Sequence, residues 1–305
     1  MQRLFAIGET VLDIIFKESQ VQDAKPGGSM LNSAVSLGRA GQEVFLITEF
    51  ARDQVGLHVQ GFLEQNGVDC KYVYHFDQGK TPLALAFLNE QSDASYVFYK
   101  SYPKKRLTVS MPDFSENDIV LFGSFFGIDP VIRSQVLDII HKAREKGALV
   151  MYDPNFRKPH AHELEQLRPF IVENIGLAHI VRGSHEDFKI IFDADGISQV
   201  RERIGDGPDV LLMTNSSEGV YLDSVTVKER FPVKKIKPIS TIGAGDNFNA
   251  GLIYGLIREH VTKAVLADVS QEQWRKITAY GVGFASDVCM SYENYISENF
   301  VATLK

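Results

Sequence analysis

"ISTIGAGDNFNAG", Ile239 to Gly251, sets Gly243, Gly245 and Asp246 just ahead of an apolar run. Glycine admits positive φ and lets a ligand come close to peptide N–H groups. The continuation "DNFNAGLIYGLIREH" carries Phe248, Leu252 and Leu256 on one helical face. A tight turn feeding a helix collects unpaired N–H donors at the positive end of the helix dipole. Such a turn is an anion site, and phosphate is its usual occupant. Asp246 then stands beside the anion. An aspartate at a helix start is also an ordinary cap, so the turn alone leaves capping and anion chemistry both open. It is not a P-loop, because no Lys-Ser or Lys-Thr follows. Nor is it a dinucleotide fingerprint, because Phe248 stands where the third glycine would fall.

Outward from this turn the chain alternates strand and helix. "RLFAIG" reads as a buried strand and "GGSMLNSAVSLGRAG" (Gly27 to Gly41) as a helix closed by glycine. "EVFLIT" is the next strand, and "DQVGLHVQGFLEQNG" a helix with an Asp cap and a Gly stop. "DIVLFG", "ALVMYDPN", "AHIVRGS" and "DVLLMTN" are further strands, with an amphipathic helix in "PVIRSQVLDIIHKAREKG". Short apolar runs between helices predict a parallel sheet covered on both faces, an α/β fold. "GVYLDSVTVKERFPV" predicts a late hairpin.

Two stretches break the rhythm. "VLDIIFKES" (11–19) is strand-like, and "LALAFLNEQSDASYVFYKS" (83–101) reads as two strands joined by a polar turn. Together they make either a small sheet standing apart as a lid or an antiparallel edge of the main sheet. No linker or repeat divides residues 1–305, which predicts a single domain.

Net charge is −7, which argues against general nucleic-acid binding. No segment reaches membrane-spanning length. The start "MQRLFAIGETVLDIIF" carries Glu9 and Asp13 and reads as a buried strand rather than a leader. Two distant cysteines, Cys70 and Cys289, predict neither a disulfide framework nor a zinc site and fit a cytoplasmic protein. His160, His162 and Glu163 have spacing that fits a surface loop better than a metal site.

In combination these stretches resemble the ribokinase-like (PfkB) family of carbohydrate kinases. "TIGAGDNFNAG" resembles its C-terminal signature and "GGSMLNSAVSLGRAG" its N-terminal one. "GETVLDII" resembles its first strand and sugar-binding Asp, and "TPLALAFLNEQSDASYVFYKS" its lid hairpin. "YDPNFR" resembles the middle motif of fructokinase-like and ketodeoxygluconate-kinase-like members. The matches fall in the family's order over nearly the whole chain. The resemblance implies a three-layer fold, with a mainly parallel central sheet flanked by helices and a small β-sheet lid.

It also implies roles. Asp246 would be the catalytic base, taking a proton from a sugar hydroxyl as that oxygen attacks the γ-phosphorus of ATP. The N–H groups of Gly243, Ala244 and Gly245 would stabilise the transferring group. Asp13, Gly27, Gly28 and Asn32 would hold the sugar, with Arg157 and Lys100 as further candidates. Arg157 reads equally well as a surface loop residue, and Lys100 as an exposed edge-strand lysine. Asp187, Thr214 and Gly219, with Gly243 and Gly245, would serve the nucleotide, and Asp187 its magnesium. Members often pair through their lids, so a homodimer is expected, with ATP and a small sugar as ligands.

The chain departs from the family pattern in four places. Ser240 stands where an Asp often helps bind a monovalent cation, which leaves a potassium site open. "SHED", Ser184 to Asp187, replaces Asn-x-x-Glu. Ser216 replaces a glycine. "SYENYIS" replaces the usual glycine on the adenine side, leaving the adenine contacts unassigned. Fructose is the expected acceptor. A 2-keto-3-deoxygluconate kinase, with Lys100, Lys104, Lys105 or Arg157 as the carboxylate's cation, and a degenerate sugar-binding protein are the alternatives.

Overall fold

Buried apolar runs set the strands of this computed structural model, which describes residues 2–18, 20–88, 94–156, 158–205, 207–233 and 235–304. In chain order the first half runs β1 (Arg3–Ile7), β2 (Val11–Lys17), β3 (Gln20–Gly27), α1 (Ser29–Arg39), β4 (Glu43–Ala51), α2 (Gln54–Gln65), β5 (Val68–Asp69), β6 (Val73–Phe76), β7 (Lys80–Leu88) and β8 (Ala94–Ser101). Then come β9 (Ile119–Gly123), α3 (Arg133–Glu145), β10 (Leu149–Asp153), α4 (Leu164–Leu177), β11 (Ile180–Ser184), α5 (His185–Phe192), α6 (Ile197–Ile204) and β12 (Val210–Asn215). The chain closes with β13 (Gly219–Ser224), β14 (Lys228–Phe231), α7 (Ala244–Arg258), α8 (Gln271–Val288) and α9 (Glu298–Thr303).

The central sheet has the order β14-β13-β12-β11-β10-β9-β1-β4-β5, and β6 also pairs with β4. Strands β9 to β12, β1, β4, β5 and β6 pair in parallel. The expected late hairpin, β13 and β14, extends the sheet antiparallel. Alternation on β1 shows why helices cover both faces. Leu4 and Ala6 enter one core, with residues of α1, α2, α7 and α8. Phe5 and Ile7 enter the other, with residues of α3, α4 and α5.

The chain steps from β1 to β4 on one side and from β9 to β12 on the other. Strand order therefore reverses at β1 and β9, and the crevice beyond the carboxyl ends there is where ligands bind in such sheets. Three non-glycine residues just past the carboxyl ends of β9, β10 and β12 take left-handed backbone: Ser124 (φ 53°), Asn155 (φ 38°) and Ser216 (φ 41°). Backbone strain of this kind collects at functional sites. Ser216 thus adopts the conformation that a glycine would adopt without strain.

The second sheet stands apart, in the order β3-β2-β7-β8. It contains the two expected segments plus β3, which the sequence did not reveal. "QVQDAKPG" is polar and holds a proline, and both fit an edge strand. Ser19 and the polar hairpin turn, 89–93, lie outside the described residues. Register puts Leu12, Ile14, Phe16, Leu83, Leu85, Phe87, Val97 and Tyr99 on one face. Asp13, Ile15, Ala84, Ala86, Tyr96 and Phe98 share the other. Ala84 and Ala86 are buried, whereas Phe87, Val97 and Tyr99 are exposed. The Asp13 face is therefore the better covered of the two at β7, while Phe98 at its β8 edge is exposed.

Candidate active site

Two helix starts meet at the crevice, and glycines shape both. Gly28 caps α1 with φ +131°, and a Cβ there would stand 2.1 Å from the Glu9 carbonyl oxygen. A Cβ on Gly27 would stand 1.9 Å from Asp13 Oδ2. The expected close approach at this pair is thus made by the chain itself: Gly27 leaves room for the Asp13 carboxylate. Gly243 caps α7 with φ +76°. The Ala244 N–H, expected at the anion, reaches toward Thr241 O at 3.3 Å.

Asp246 lies in the first turn of α7 and is buried. Its Oδ1 accepts from Ser29 Oγ at 2.6 Å, and its Oδ2 from Asn32 Nδ2 at 2.7 Å. Its carbonyl accepts from Ser33 Oγ at 2.7 Å. One turn on, Ser36 Oγ donates to Asn247 Oδ1. Asn247 Nδ2 in turn donates to the carbonyls of Gly243 and Asn294, at 2.9 and 2.8 Å. A polar seam between α1 and α7 therefore fixes the carboxylate. Asn32, expected to touch a sugar, spends its donor on Asp246. Its Oδ1 is buried without a hydrogen-bond partner among the described residues, which leaves an acceptor beside the carboxylate.

Beneath the glycine turn lies a group that the sequence reading missed. Arg182, on β11, is 5% exposed. A Cβ on Gly245 would stand 3.0 Å from its Nη1. Arg182 donates to Asp153 Oδ2 at 3.0 Å and to Thr214 Oγ1 at 2.6 Å, and Asn249 Nδ2 adds 2.6 Å to the same Asp153 oxygen. Its guanidinium also sits over the Phe248 ring. A buried positive charge thus stands directly behind the positive end of α7. An arginine inside the apolar run "AHIVRGS" was the available signal, since a buried charge needs partners.

Asp187 is committed to structure. With Ser184 it forms the capping box of α5. Its Oδ1 accepts from the Phe156 N–H at 2.8 Å, and its Oδ2 from the Ser184 N–H at 2.7 Å and hydroxyl at 2.5 Å. Burial, reinforced by the Asp153 carboxylate, pushes its pKa above the usual carboxylate range. The two departures in "SHED" are thus a matched pair. Thr214 belongs to the Arg182 network. Gly219 has φ +133°, and a Cβ there would meet the Phe231 carbonyl oxygen at 2.6 Å, so the β13–β14 hairpin requires it. Lys100 pairs with Glu9 at 2.7 Å. Arg157 lies outside the described residues. His160 bonds Glu163 at 2.8 Å, a local contact in a short 3-10 turn.

The model of the pfkB family carbohydrate kinases matches residues 1–297. The chain belongs to that family. A fructokinase of Vibrio alginolyticus is 25% identical over 278 residues, covering 90% of each chain. An aminoimidazole riboside kinase of Salmonella typhimurium is 26% identical over 85% of this chain and 82% of its own. Among solved structures, a Vibrio cholerae fructokinase bound to fructose, ADP and calcium superimposes with a TM-score of 0.84 at 22% identity, covering 100% of this chain and 99% of that one. The Salmonella enterica aminoimidazole riboside kinase, in complex with its riboside and an ATP analogue, also gives 0.84, at 20% identity, covering 99% and 98%. The fold is ribokinase-like, and this kinase is a phosphotransferase acting on a sugar hydroxyl.

Proposed function

We propose that this kinase transfers the γ-phosphoryl group of ATP to a hydroxyl of fructose, with Asp246 as the base. The observation that carries the reading is the place of Asp246. It sits between the glycine turn of α7 and the Gly27–Asp13 end of the crevice, oriented by Ser29 and Asn32. The bonds from Ser29 and Asn32 hold one acceptor oxygen each and fix the direction in which the carboxylate faces. The sugar hydroxyl gives its proton to Asp246, its oxygen bonds the γ-phosphorus, and the bond to the ADP oxygen breaks. Phosphoryl transfer of this kind depends on positioning and charge neutralisation. The α7 N-terminus, through the Gly243 to Gly245 turn, supplies the positive field, and Arg182, paired with Asp153, backs that turn.

On the acceptor side, Asp13 and the open acceptor of Asn32 take sugar hydroxyls. Thr214 and Gly219 sit on the nucleotide side. The kinase family implies a divalent ion. Among the described residues, no cluster of three or more His, Cys, Asp or Glu is arranged to hold one. Asp187 is buried and accepts three hydrogen bonds that close the α5 capping box and hold the Phe156 N–H, so it serves the fold rather than a metal. Magnesium's place is on the ATP phosphates. The small sheet acts as the lid over the sugar, and its apolar outer face pairs two copies of the chain. Among the described residues no helix is long and apolar enough to cross a membrane. The free cysteines Cys70 and Cys289 fit the cytoplasm.

ATP consumption with magnesium against fructose, ribose, 2-keto-3-deoxygluconate and an aminoimidazole riboside tests the acceptor. The expected result is the highest kcat/KM on fructose. A higher value on any other acceptor overturns the assignment.

A further inference from the structure

One of the charged contacts between the lid and the body bears on which acceptors the site takes. Lys100 Nζ lies 2.7 and 2.8 Å from the two carboxylate oxygens of Glu9, and Tyr102 Oη donates to the same carboxylate at 2.7 Å. Tyr102 is itself held, because the Arg106 guanidinium lies 3.6 Å from its ring centroid and pairs with the buried Glu49 and with Asp129. Burial, and after it the Glu9 charge, push the Tyr102 phenol well above its ordinary range, so it stays a donor. Glu9 is placed by the site's own backbone, since its carbonyl lies against Gly28. Lys100 follows Phe98 by two residues and so shares the Asp13 face of the lid.

The other lysine near Asp13 is also matched. Lys25 is buried, pairs with Asp23 at 2.7 Å and donates to the Tyr292 carbonyl at 2.9 Å. Lys25, opposite Asp13 in the strand register, and Lys100, on the same face of the lid, thus each have a carboxylate partner. An acceptor bearing a carboxylate would need one of these cations, and would meet Asp13, Asp246 and Glu9 besides. A neutral polyol needs only hydroxyl partners.

Resting on the reading of this end of the crevice as the acceptor site, we propose that Glu9 is a specificity-determining residue. By holding the Lys100 ammonium it keeps that charge from sugar acids and leaves the site selective for uncharged sugars. The pair is partly exposed, with side chains 36% and 21% accessible. Such pairs contribute little to stability, so a Glu9→Gln variant is expected to fold.

The test compares kcat/KM for 2-keto-3-deoxygluconate and for fructose in wild type, Glu9→Gln, and the Glu9→Gln/Lys100→Met double variant. Releasing a charge-assisted partner should raise the acid-to-fructose ratio about tenfold or more in Glu9→Gln, mainly through KM for the acid. The double variant should return the ratio to near the wild-type value, and added salt should shrink the gain. An unchanged ratio in Glu9→Gln overturns the proposal, as does a gain that survives loss of Lys100. If wild type phosphorylates no sugar, the fructokinase reading fails on its own account. Calorimetric titration of 2-keto-3-deoxygluconate into wild type and Glu9→Gln then decides: tighter binding by the variant supports the proposal, and equal or absent binding overturns it.

Discussion

Glycines 27 and 245 leave room for different neighbours, so alanine at each should fail differently. At Gly27 the new Cβ meets the Asp13 carboxylate, which must shift to make room. Gly27→Ala should therefore act mainly on sugar binding, raising the sugar KM by about tenfold, the loss of a hydrogen bond to a charged group. At Gly245 the Cβ meets Arg182, which Asp153 and Thr214 hold in place. Gly245→Ala should lower kcat more than it raises KM for sugar, and destabilise by about 1–3 kcal/mol through overpacking. Steady-state kinetics and thermal melts on the two variants check this, and matching profiles would count against it. Part of this was legible in the sequence: Asp246 and its glycines stood out because close backbone approach needs Gly. Ser29 and Ser33 did not stand out, because a hydroxyl on a helix gives no sign of which way it faces. Arg182 left a faint trace as a charge in an apolar run.

At the scale of elements, β10 and β11 are joined by a histidine that must stay neutral. His179 Nδ1 accepts the Val150 N–H at 3.0 Å. Burial, helped by Arg144 and Lys263, lowers its pKa from 6.5 to about 4. The unfolded chain takes up that proton first as pH falls. The contribution is therefore fully present above pH 6.5 and is lost as pH drops toward 4, by an amount on the order of 3 kcal/mol. His179→Asn keeps an acceptor for Val150 and removes the titration. Urea denaturation at pH 7.5 and 5 should show a smaller loss of stability in the variant, and equal losses would contradict the assignment. The main strands and helices were readable from apolar period and caps. Asp53, for example, accepts from the Gly56 N–H as its helix-start pattern predicted. Strand β3 was not readable, because an edge strand needs no apolar face and its pairing with β2 is set by a partner, not by its own composition.

At the scale of the molecule, the lid's outer face leaves Phe87, Val97 and Tyr99 from 42% to 58% exposed. Contiguous apolar surface of this kind is usually covered. Light scattering across a range of protein concentrations should report a dimer for wild type and a monomer for a Phe87→Ser/Val97→Glu variant. A monomeric wild type would remove the dimer. The separate lid was foreseen only as one of two options, because a strand pattern does not say which sheet a strand joins.

The central claim is that Asp246 takes the proton while the architecture around it does the positioning. The most direct measurement is ATP-dependent phosphorylation of fructose by wild type and by Asp246→Asn, with calorimetric fructose binding alongside. The expected result is a loss in kcat of about 10²–10⁴-fold, the scale of general-base catalysis, with fructose still bound. An Asp246→Asn variant that keeps its turnover within a few fold of wild type would contradict it.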